Sequence, residues 1–208
     1  MSSEPETLVL RTTLTSPFGR TVRKAADLLG LTDRVRVAHA DTADESDTLR
    51  LQNPLGKIPC LVRADGTAVY DSGVILEFLQ EVAGTDRLLP TRGPDRIRML
   101  IATRLADGII DAGALIIYEA RYHEPGGHSE RWLAHQRGKI VRALAAFEAS
   151  PPNPRKTDAV TIGLACALGF LDKRQPVEWR PSCPRLAAWL DDFAANEPAF
   201  DRTRAPSA

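Results

Sequence analysis

The chain has 208 residues, 43% of them hydrophobic, which is enough to bury a full core in one or two domains. Its 27 basic and 27 acidic residues cancel, so no global field recruits nucleic acid or an anionic membrane. No apolar run reaches the roughly 18 residues of a membrane helix, and the opening MSSEPET lacks the basic and apolar parts of a secretory leader. We therefore expect a soluble protein that binds neither membranes nor nucleic acid.

The cysteines and histidines give no sign of a disulfide framework or a metal site. Cys60, Cys166 and Cys183 form no Cys-x-x-Cys pair and leave an odd count, which fits a reduced cytosol. His123 and His128 flank a turn-rich Glu-Pro-Gly-Gly segment and lack the i, i+4 spacing of a helical zinc pair. We expect a cytoplasmic protein without a metal.

The N-terminal part of the chain alternates between strand and helix patterns. Apolar runs predict strands at residues 8–10, 35–38, 59–63 and 67–70, and helical spacing predicts helices at 18–29 and 72–82. A strand, helix, strand order predicts a parallel, right-handed crossover. The Asp65-Gly66 pair between two apolar runs predicts a hairpin. The expected order is β-α-β, a loop, then β-β-α.

The composition changes in the segment 84–94, which has the Gly, Pro and polar content of a linker. Beyond it, apolar periodicity predicts only helices, at residues 97–122, 130–149, 159–171 and 185–196. We therefore expect an α/β domain at residues 1–83, a linker at 84–94 and an all-helical domain at 95–208.

This order and several short sequence words resemble the glutathione transferases over nearly the whole chain. The words are TSPFGRTVR (15–23), NPLGKIPCL (53–61), YDSGVILEFL (70–79), ALGFLDKR (167–174), PRLAAWL (184–190) and EPAFDRTRAP (197–206). RLADGIIDAGAL (104–115) is also similar to a bacterial subgroup typified by the uncharacterised YibF-like proteins. The resemblance implies a thioredoxin-like N-terminal domain, an all-helical C-terminal domain and glutathione as the co-substrate.

Pro59 opens a predicted strand although a proline cannot donate to a sheet ladder. The resemblance implies a cis bond before Pro59, which turns the main chain of Ile58 toward a cleft, where its N–H and C=O pair with the cysteinyl part of glutathione. Cis bonds occur in only about 5% of X-Pro pairs, so they mark a specific turn. The alternative is a trans proline on an edge strand, without a ligand.

Three further residues around this proline are implied to bind glutathione. Ser72 stands where a helix N-cap would leave main-chain N–H groups to hold the γ-glutamyl carboxylate. Asp71 can accept from the γ-glutamyl ammonium, and Lys57 can reach the glycine carboxylate as a point charge. As alternatives, Ser72 is an ordinary cap, Asp71 complements the helix dipole and Lys57 is a solvated loop charge.

Ser16, before Pro17 at the start of a predicted helix, is the expected catalytic residue. A free thiol has a pKa near 8.5, and each unit of depression stabilises the thiolate by about 1.4 kcal/mol. Under the resemblance, the Ser16 hydroxyl and the helix dipole supply this stabilisation, since no tyrosine or cysteine occupies the place. The alternative is an ordinary N-cap followed by proline at the first helical position.

The helix predicted from residue 97 is expected to face the second substrate. Arg104, Asp107, Asp111 and Tyr118 share one helical face, and we group them with Phe18 as second-substrate or dimer contacts. The face can be a polar floor for an electrophile, or Asp107 can reach across a dimer to the γ-glutamyl amine. A polar stripe in water or at a dimer interface fits equally well.

One sequence word departs from the family pattern at the start of the third predicted C-terminal helix. Most family members begin this helix with Ser/Thr-x-x-Asp, whereas this chain has Asp158-Ala-Val-Thr161. Asp158 can still cap the helix and Thr161 can still donate back, so we expect the fold to survive. Loss of the Asp158 cap should cost about 1 kcal/mol.

Two functions from different classes follow. One is a homodimeric transferase that joins the glutathione thiolate to a small hydrophobic electrophile; the other is a glutathione-binding or protein-binding module of the same fold. A glutathione-dependent disulfide reductase is a third reading. It would need Cys60, which we expect to pack as a small hydrophobe in the strand core.

Overall fold

The structure, a computed structural model, describes residues 6–124, 127–197 and 199–204. Most of the MSSEPET segment and parts of the EPAFDRTRAP word lie outside these ranges. Within the described residues the chain forms two compact units. Residues 6–93 and 199–204 form the first unit, and residues 94–197 form the second, helical unit.

The first unit is a four-stranded sheet with flanking helices. Its elements are β1 (Leu8–Thr12), α1 (Pro17–Leu28), β2 (Val35–His39), α2 (Leu49–Gln52), β3 (Cys60–Val62), β4 (Ala68–Val69) and α3 (Ser72–Ala83). The strand order is β2-β1-β3-β4; β1 and β2 are parallel and the other pairs are antiparallel. The predicted β-α-β and β-β-α order is confirmed, and the fold is thioredoxin-like. The short helix α2 was not predicted because four residues carry no apolar period.

The register of β1 sets which side chains fill the core. Leu8, Leu10 and Thr12 are buried, whereas Val9 and Arg11 between them are half-buried, as expected of alternating side chains. Leu10 lies opposite Leu61 of β3, and both are fully buried. Burying a leucine side chain contributes about 1.5–3 kcal/mol, so this pairing anchors the centre of the sheet.

The second unit contains four helices. They are α4 (Pro94–Tyr122), α5 (Glu130–Ala149), α6 (Ala159–Arg174) and α7 (Pro184–Asn196). Helix α6 is buried on almost every side because its residues are apolar or small. A Cβ on Gly113 of α4 would lie 2.6 Å from the Phe170 ring of α6, so glycine lets these two helices approach closely. The all-helical prediction for this part of the chain is confirmed.

The last described segment belongs to the first unit. Helix α8 (Ala199–Arg202) lies against α1, where the Arg20 guanidinium donates to Phe200 O at 2.6 Å. The expected helical domain ran from residue 95 to 208, so its range differs from the observed unit at this end. Sequence patterns missed the difference because α8 is a single turn, which is too short to show a period.

The predicted linker is partly fixed by a buried side chain. Gln80 of α3 is only 7% exposed, and its Oε1 accepts from Leu88 N and Leu89 N at 2.9 and 2.8 Å. Its Nε2 donates to Leu89 O at 2.9 Å. Residues 88 and 89 of the predicted linker are therefore anchored to α3 within the first unit.

Candidate functional site

The sheet topology brings three connections to one edge. β1 ends at Thr12, and β3 begins next to it because Cys60 lies opposite Arg11. β4 is antiparallel to β3 and ends at Val69, level with Leu61. The loop after β1, the loop before β3 and the loop after β4 therefore open at the same edge of the sheet.

These connections carry most of the expected site residues. Ser16 follows β1, the Ile58-Pro59 pair precedes β3, and the Asp71-Ser72 pair follows β4. Because neighbouring strands are spaced by about 4.8 Å, the span from β1 across β3 to β4 is about 10 Å. The sheet edge therefore presents Ser16, Ile58 and Ser72 in that order along a line about as long as a short peptide.

Ser16 is the N-cap of α1. Its Oγ accepts from Gly19 N at 3.1 Å, its N–H donates to Thr13 O at 3.2 Å, and Pro17 occupies the first helical position. The ordinary capping role is therefore present. It uses only the acceptor side of the hydroxyl, and no acceptor within the described ranges takes the hydroxyl proton. A donor proton thus remains at the positive end of the helix dipole.

Gly19 lets α1 start directly against β1. A Cβ at this position would lie 2.1 Å from Thr12 Oγ1 and 3.3 Å from Ser16 Cβ. Thr12 is fully buried at the end of β1, so it has little room to yield. Any side chain at position 19 would push the first turn of α1, and Ser16 with it, away from the sheet.

The loop before β3 is held by Asn53, which is buried. Its Nδ2 donates to Lys57 O at 2.8 Å and its Oδ1 accepts from Leu55 N at 3.1 Å. The bond between Ile58 and Pro59 is cis, as the resemblance implied, which excludes the trans alternative. The sheet register begins at Cys60, and the loop hydrogen bonds of the described chain include none from the main chain of Ile58. That backbone is therefore placed for another partner.

The start of α3 corrects the capping prediction. Asp71, not Ser72, is the N-cap: Asp71 Oδ1 accepts from Gly73 N at 2.8 Å, and the preceding Tyr70-Asp71 bond is also cis. Ser72 is the first helical residue and is only 5% exposed. Within the described part of the chain, no hydrogen bond engages its hydroxyl. Both residues can cap a helix, so the sequence did not distinguish them, and the assignment of the cap to Ser72 was wrong.

The electrostatics of this edge favour an anion. Helices α1 and α3 both begin there, and each helix N-terminus carries the equivalent of about half a positive charge. Lys57 is exposed in the loop before Pro59, where it adds a full charge. Asp71 opposes these charges, which suits a ligand that carries an ammonium beside its carboxylates.

Cys60 is a packing residue. It is fully buried with Ala40 and Leu49, and Ile58 packs on the same cluster. Burial raises the pKa of the Cys60 thiol, while the positive charge of Arg11 acts in the opposite direction. A buried thiol with a raised pKa is a poor nucleophile, so its surroundings match the expected structural role.

The other expected contacts lie on two different elements. Phe18 is half-buried in the first turn of α1, within the first unit. Asp107 on α4 is mostly buried and pairs with Arg104 at 3.2 Å. Asp111 and Tyr118 are exposed on the same helix. The predicted face of α4 therefore contains one buried acid and three exposed side chains.

Across residues 6–124, 127–197 and 199–204, no helix is long and apolar enough to cross a membrane. In the same ranges, no three His, Cys, Asp or Glu side chains are grouped so that they could hold a metal ion.

Comparisons with known proteins agree with the geometry. A family model for the N-terminal domain of glutathione S-transferase matches residues 15–82. The uncharacterized GST-like protein YibF of Escherichia coli (strain K12) is 35% identical over 161 residues, covering 75% of this chain and 79% of YibF. A glutathione transferase family member from Pseudomonas fluorescens Pf-5, crystallised with bound glutathione, shares 39% sequence identity with this chain, and the two structures superpose with a TM-score of 0.90. The match covers 97% of this chain and 100% of that one.

The chain belongs to the glutathione transferase family. A glutathione S-transferase from Methylobacterium radiotolerans JCM 2831, in complex with glutathione sulfonate, is 30% identical with a TM-score of 0.85. That match covers 97% of this chain and 95% of the other. The resemblance inferred from short sequence words is thus confirmed.

In this glutathione transferase family member, sequence reasoning missed two residues that shape the site. Gly19 lies in the first turn of α1, where a glycine costs about 1 kcal/mol relative to alanine, so its presence there was a signal of close packing. Asn53 opens the NPLGKIPCL word and is followed by proline and glycine, a composition typical of side-chain-stabilised turns. Gly19 lies in the motif TSPFGRTVR and Asn53 in the motif NPLGKIPCL, so both signals were within the segments that carry the family resemblance.

Proposed function

We propose that this chain is a glutathione transferase that joins the thiolate of glutathione to a small hydrophobic electrophile. In the reaction, the thiol proton leaves to solvent and the sulfur forms a bond to the electrophilic carbon. In a substitution the leaving group departs with its bonding electron pair; in an addition the displaced electron pair moves to the neighbouring atom, which takes up a proton from solvent. The relatives crystallised with glutathione and with glutathione sulfonate support this substrate class.

The dimensions of the sheet edge support a glutathione molecule whose γ-glutamyl-cysteinyl part lies across the strands. The distance from β1 to β4 is about 10 Å by strand spacing, which suits the reach from the γ-glutamyl end through the cysteinyl main chain to the thiol. We assign the cysteinyl main chain to Ile58 beside Pro59, the γ-glutamyl end to the start of α3, and the thiol to Ser16. This order follows the strand order β1-β3-β4.

The observation that carries the proposal is the unused proton of the Ser16 hydroxyl. Ser16 accepts from Gly19 N, which fixes its oxygen, and its proton can then be donated to a thiolate. Hydrogen bonds to charged groups contribute about 1.5–3 kcal/mol, which corresponds to one or two units of thiol pKa. The dipole of α1 acts in the same direction.

The remaining contacts are assigned by charge. Ser72 and the first N–H groups of α3 bind the γ-glutamyl carboxylate, and Lys57 pairs with the glycine carboxylate. Asp71 accepts from the γ-glutamyl ammonium; a carboxylate offers about four lone-pair sites, so capping Gly73 is compatible with this role.

The proposed second-substrate or dimer contacts are Phe18 on α1 and, on one face of α4, Arg104, Asp107, Asp111 and Tyr118. The Arg104–Asp107 ion pair offers both a cation and a buried acid on that face. Phe18 offers an aromatic surface in the first turn of α1, two residues after Ser16. Either feature suits a hydrophobic substrate with one polar group.

Two further assignments belong to the same proposal. A cytoplasmic location fits three cysteines that are all free and buried. A homodimer fits the exposed apolar side chains in each unit, among them Leu51 at 87% and Ile101 at 64% exposure. Light scattering during size-exclusion chromatography checks the second assignment: a mass of one chain would contradict it.

The first test is calorimetric titration of glutathione into the wild-type protein and Ser72→Ala. Losing a hydrogen bond to a carboxylate should weaken binding about tenfold or more. Ser182→Ala, in which a hydroxyl of the helical unit loses its bond to Trp179 O, serves as the matched control and should bind like wild type.

The outcomes separate the candidate functions. Absence of binding in wild type would contradict the proposal and favour an interaction module. Binding with a thiol that stays protonated near neutral pH would favour a glutathione-binding module without transferase activity. Reduction of disulfides that disappears in Cys60→Ser would favour the reductase.

A further inference from the structure

The C-terminal segment, defined here as residues 199–204, is fixed to α1 through Arg20. Arg20 is only 7% exposed. Its Nη2 donates to Phe200 O at 2.6 Å, its Nε donates to Thr203 Oγ1 at 3.4 Å, and its guanidinium carbon lies 4.0 Å from the centroid of the Phe200 ring. A buried guanidinium needs acceptors, and the C-terminal segment supplies them.

Arg23, three residues farther along α1, joins this segment to the loop that carries Ser16. Its Nη2 donates to Thr203 O at 3.1 Å and to Leu14 O at 3.3 Å. Leu14 lies between the end of β1 and Ser16, and its side chain is 46% exposed. One terminal nitrogen of Arg23 thus bridges two carbonyls that are far apart in the chain.

The geometry of the guanidinium makes these two bonds interdependent. Its N–H groups lie in one rigid plane, so a bond to Thr203 O fixes the direction in which the other N–H points. That second N–H holds the carbonyl of Leu14. The next residues are held to the same loop, because Ser16 N donates to Thr13 O at 3.2 Å and Thr13 and Thr15 hydroxyls lie 3.2 Å apart.

We propose that the C-terminal segment positions Ser16 for the reaction and that Arg23 is the positioning residue that carries its effect to the loop after β1. The inference rests on the proposed function, because it concerns the thiolate that Ser16 stabilises. A donor must be held within about 0.5 Å of its productive position to act fully. Arg23 holds the loop after β1 in place, and the orientation of Arg23 depends on its bond to the C-terminal segment.

The test is the pKa of the thiol of bound glutathione, followed by the ultraviolet absorbance of the thiolate as pH is raised. Full-length wild type, Arg23→Ala, Phe200→Ala and Ser16→Ala are compared at saturating glutathione. Arg87→Ala is the matched control, because its Nη1 donates to Leu28 O at 3.0 Å at the opposite end of α1. Calorimetry on each variant gives the dissociation constant of glutathione.

We expect Arg23→Ala and Phe200→Ala to raise the pKa of the bound thiol by about one unit, toward the Ser16→Ala value, which leaves about three- to eightfold less thiolate at pH 7 when the wild-type value lies one or two units below 8.5. Arg87→Ala should match wild type. At a pH about one unit below the bound thiol pKa, where glutathione binds as the thiol, the dissociation constant should change less than about twofold in Arg23→Ala and Phe200→Ala, since the residues assigned to the peptide part of glutathione are untouched.

The other outcomes have distinct meanings. If Ser16→Ala raises the pKa but Arg23→Ala does not, the positioning role is wrong and the proposed function stands. An equal rise in Arg87→Ala would show a general loss of α1 stability and would also overturn the positioning role. No change in Ser16→Ala, or no glutathione binding in wild type, would overturn the proposed function and this inference together. If Phe200→Ala fails to fold, Arg23→Ala alone decides.

Discussion

In the first unit, α1 and α3 begin at the sheet edge beside hydroxyl groups, Ser16 and Ser72, that keep a proton to donate. In the helical unit, α6 begins with Asp158, whose Oδ1 accepts from Val160 N and Thr161 N at 3.0 and 3.1 Å. Thr161 Oγ1 accepts from Asp158 N at 2.9 Å, so the expected capping box is confirmed with its residue types reversed.

Helix α7 repeats this pattern with a carboxylate from another helix. Both oxygens of Glu148 on α5 accept from the start of α7, from Arg185 N at 2.9 Å and Leu186 N at 2.8 Å. The starts of α6 and α7 are therefore satisfied by carboxylates within the protein, whereas Ser16 and Ser72 at the starts of α1 and α3 keep a hydroxyl proton to donate. The same local feature, a helix start, is closed by a carboxylate at α6 and α7 and carries an unused hydroxyl donor at α1 and α3, which is what the proposed glutathione site requires.

The largest effect should come from Gly19→Ala, which tests whether α1 is placed by close packing on β1. The new Cβ would clash with the buried Thr12, and overpacking of this kind should lower the free energy of unfolding by about 3 kcal/mol. Denaturant titration followed by circular dichroism measures it. Gly108→Ala on α4 is the control: apart from its chain neighbours and the backbone of its own helix, nothing described lies within 4 Å of the new Cβ, so it should stabilise the chain by up to about 1 kcal/mol.

An intermediate effect is expected for Glu148→Ala. It leaves two N–H groups at the start of α7 without their acceptor, which should lower the free energy of unfolding by about 2 kcal/mol. The control is Glu178→Ala, an exposed carboxylate with no hydrogen bond or ion pair in the described ranges, and it should change stability by less than about 0.5 kcal/mol. If the two variants had equal unfolding midpoints, Glu148 would not stabilise the start of α7, and the contrast between the units would rest on α6 alone.

The smallest effect should come from Asp158→Ala, with a loss of about 1 kcal/mol for the cap of α6. Asp158→Asn should retain most of this stability because asparagine caps a helix about as well as aspartate. Thermal melts of the two variants side by side measure the difference. If the alanine variant melted like wild type, the cap would contribute nothing and the contrast between the units would rest on α7 alone.

Elements of the fold that are marked by apolar periodicity and bounded by turn residues were predictable from sequence. The four strands, the two long helices of the first unit and the four of the second were found because apolar period and turn residues decide them locally. The cis bond before Pro59 came from the family resemblance. Helix α4 starts three residues earlier than predicted because Pro94, read as part of the linker, is its first residue.

Features set by distant partners were not predictable. The cap of α3 was assigned to Ser72 rather than Asp71, since the choice depends on how β4 delivers the chain. The hydrogen bond from Arg20 to Phe200 O joins residues 180 positions apart, and no local pattern in a single sequence predicts it. Of the candidate site, its loops were predictable, whereas the side chains that hold them in place were not.

All three cysteines of this chain are buried thiols. The protein therefore offers thiol-directed dyes almost no reactive sulfur of its own. A cysteine introduced on an exposed helix face would be the main site of labelling by a maleimide fluorophore. Single-site fluorescence of the C-terminal segment or of the loop after β1 is thus accessible without first removing native cysteines, and added glutathione would be the dominant accessible thiol in any spectroscopic titration.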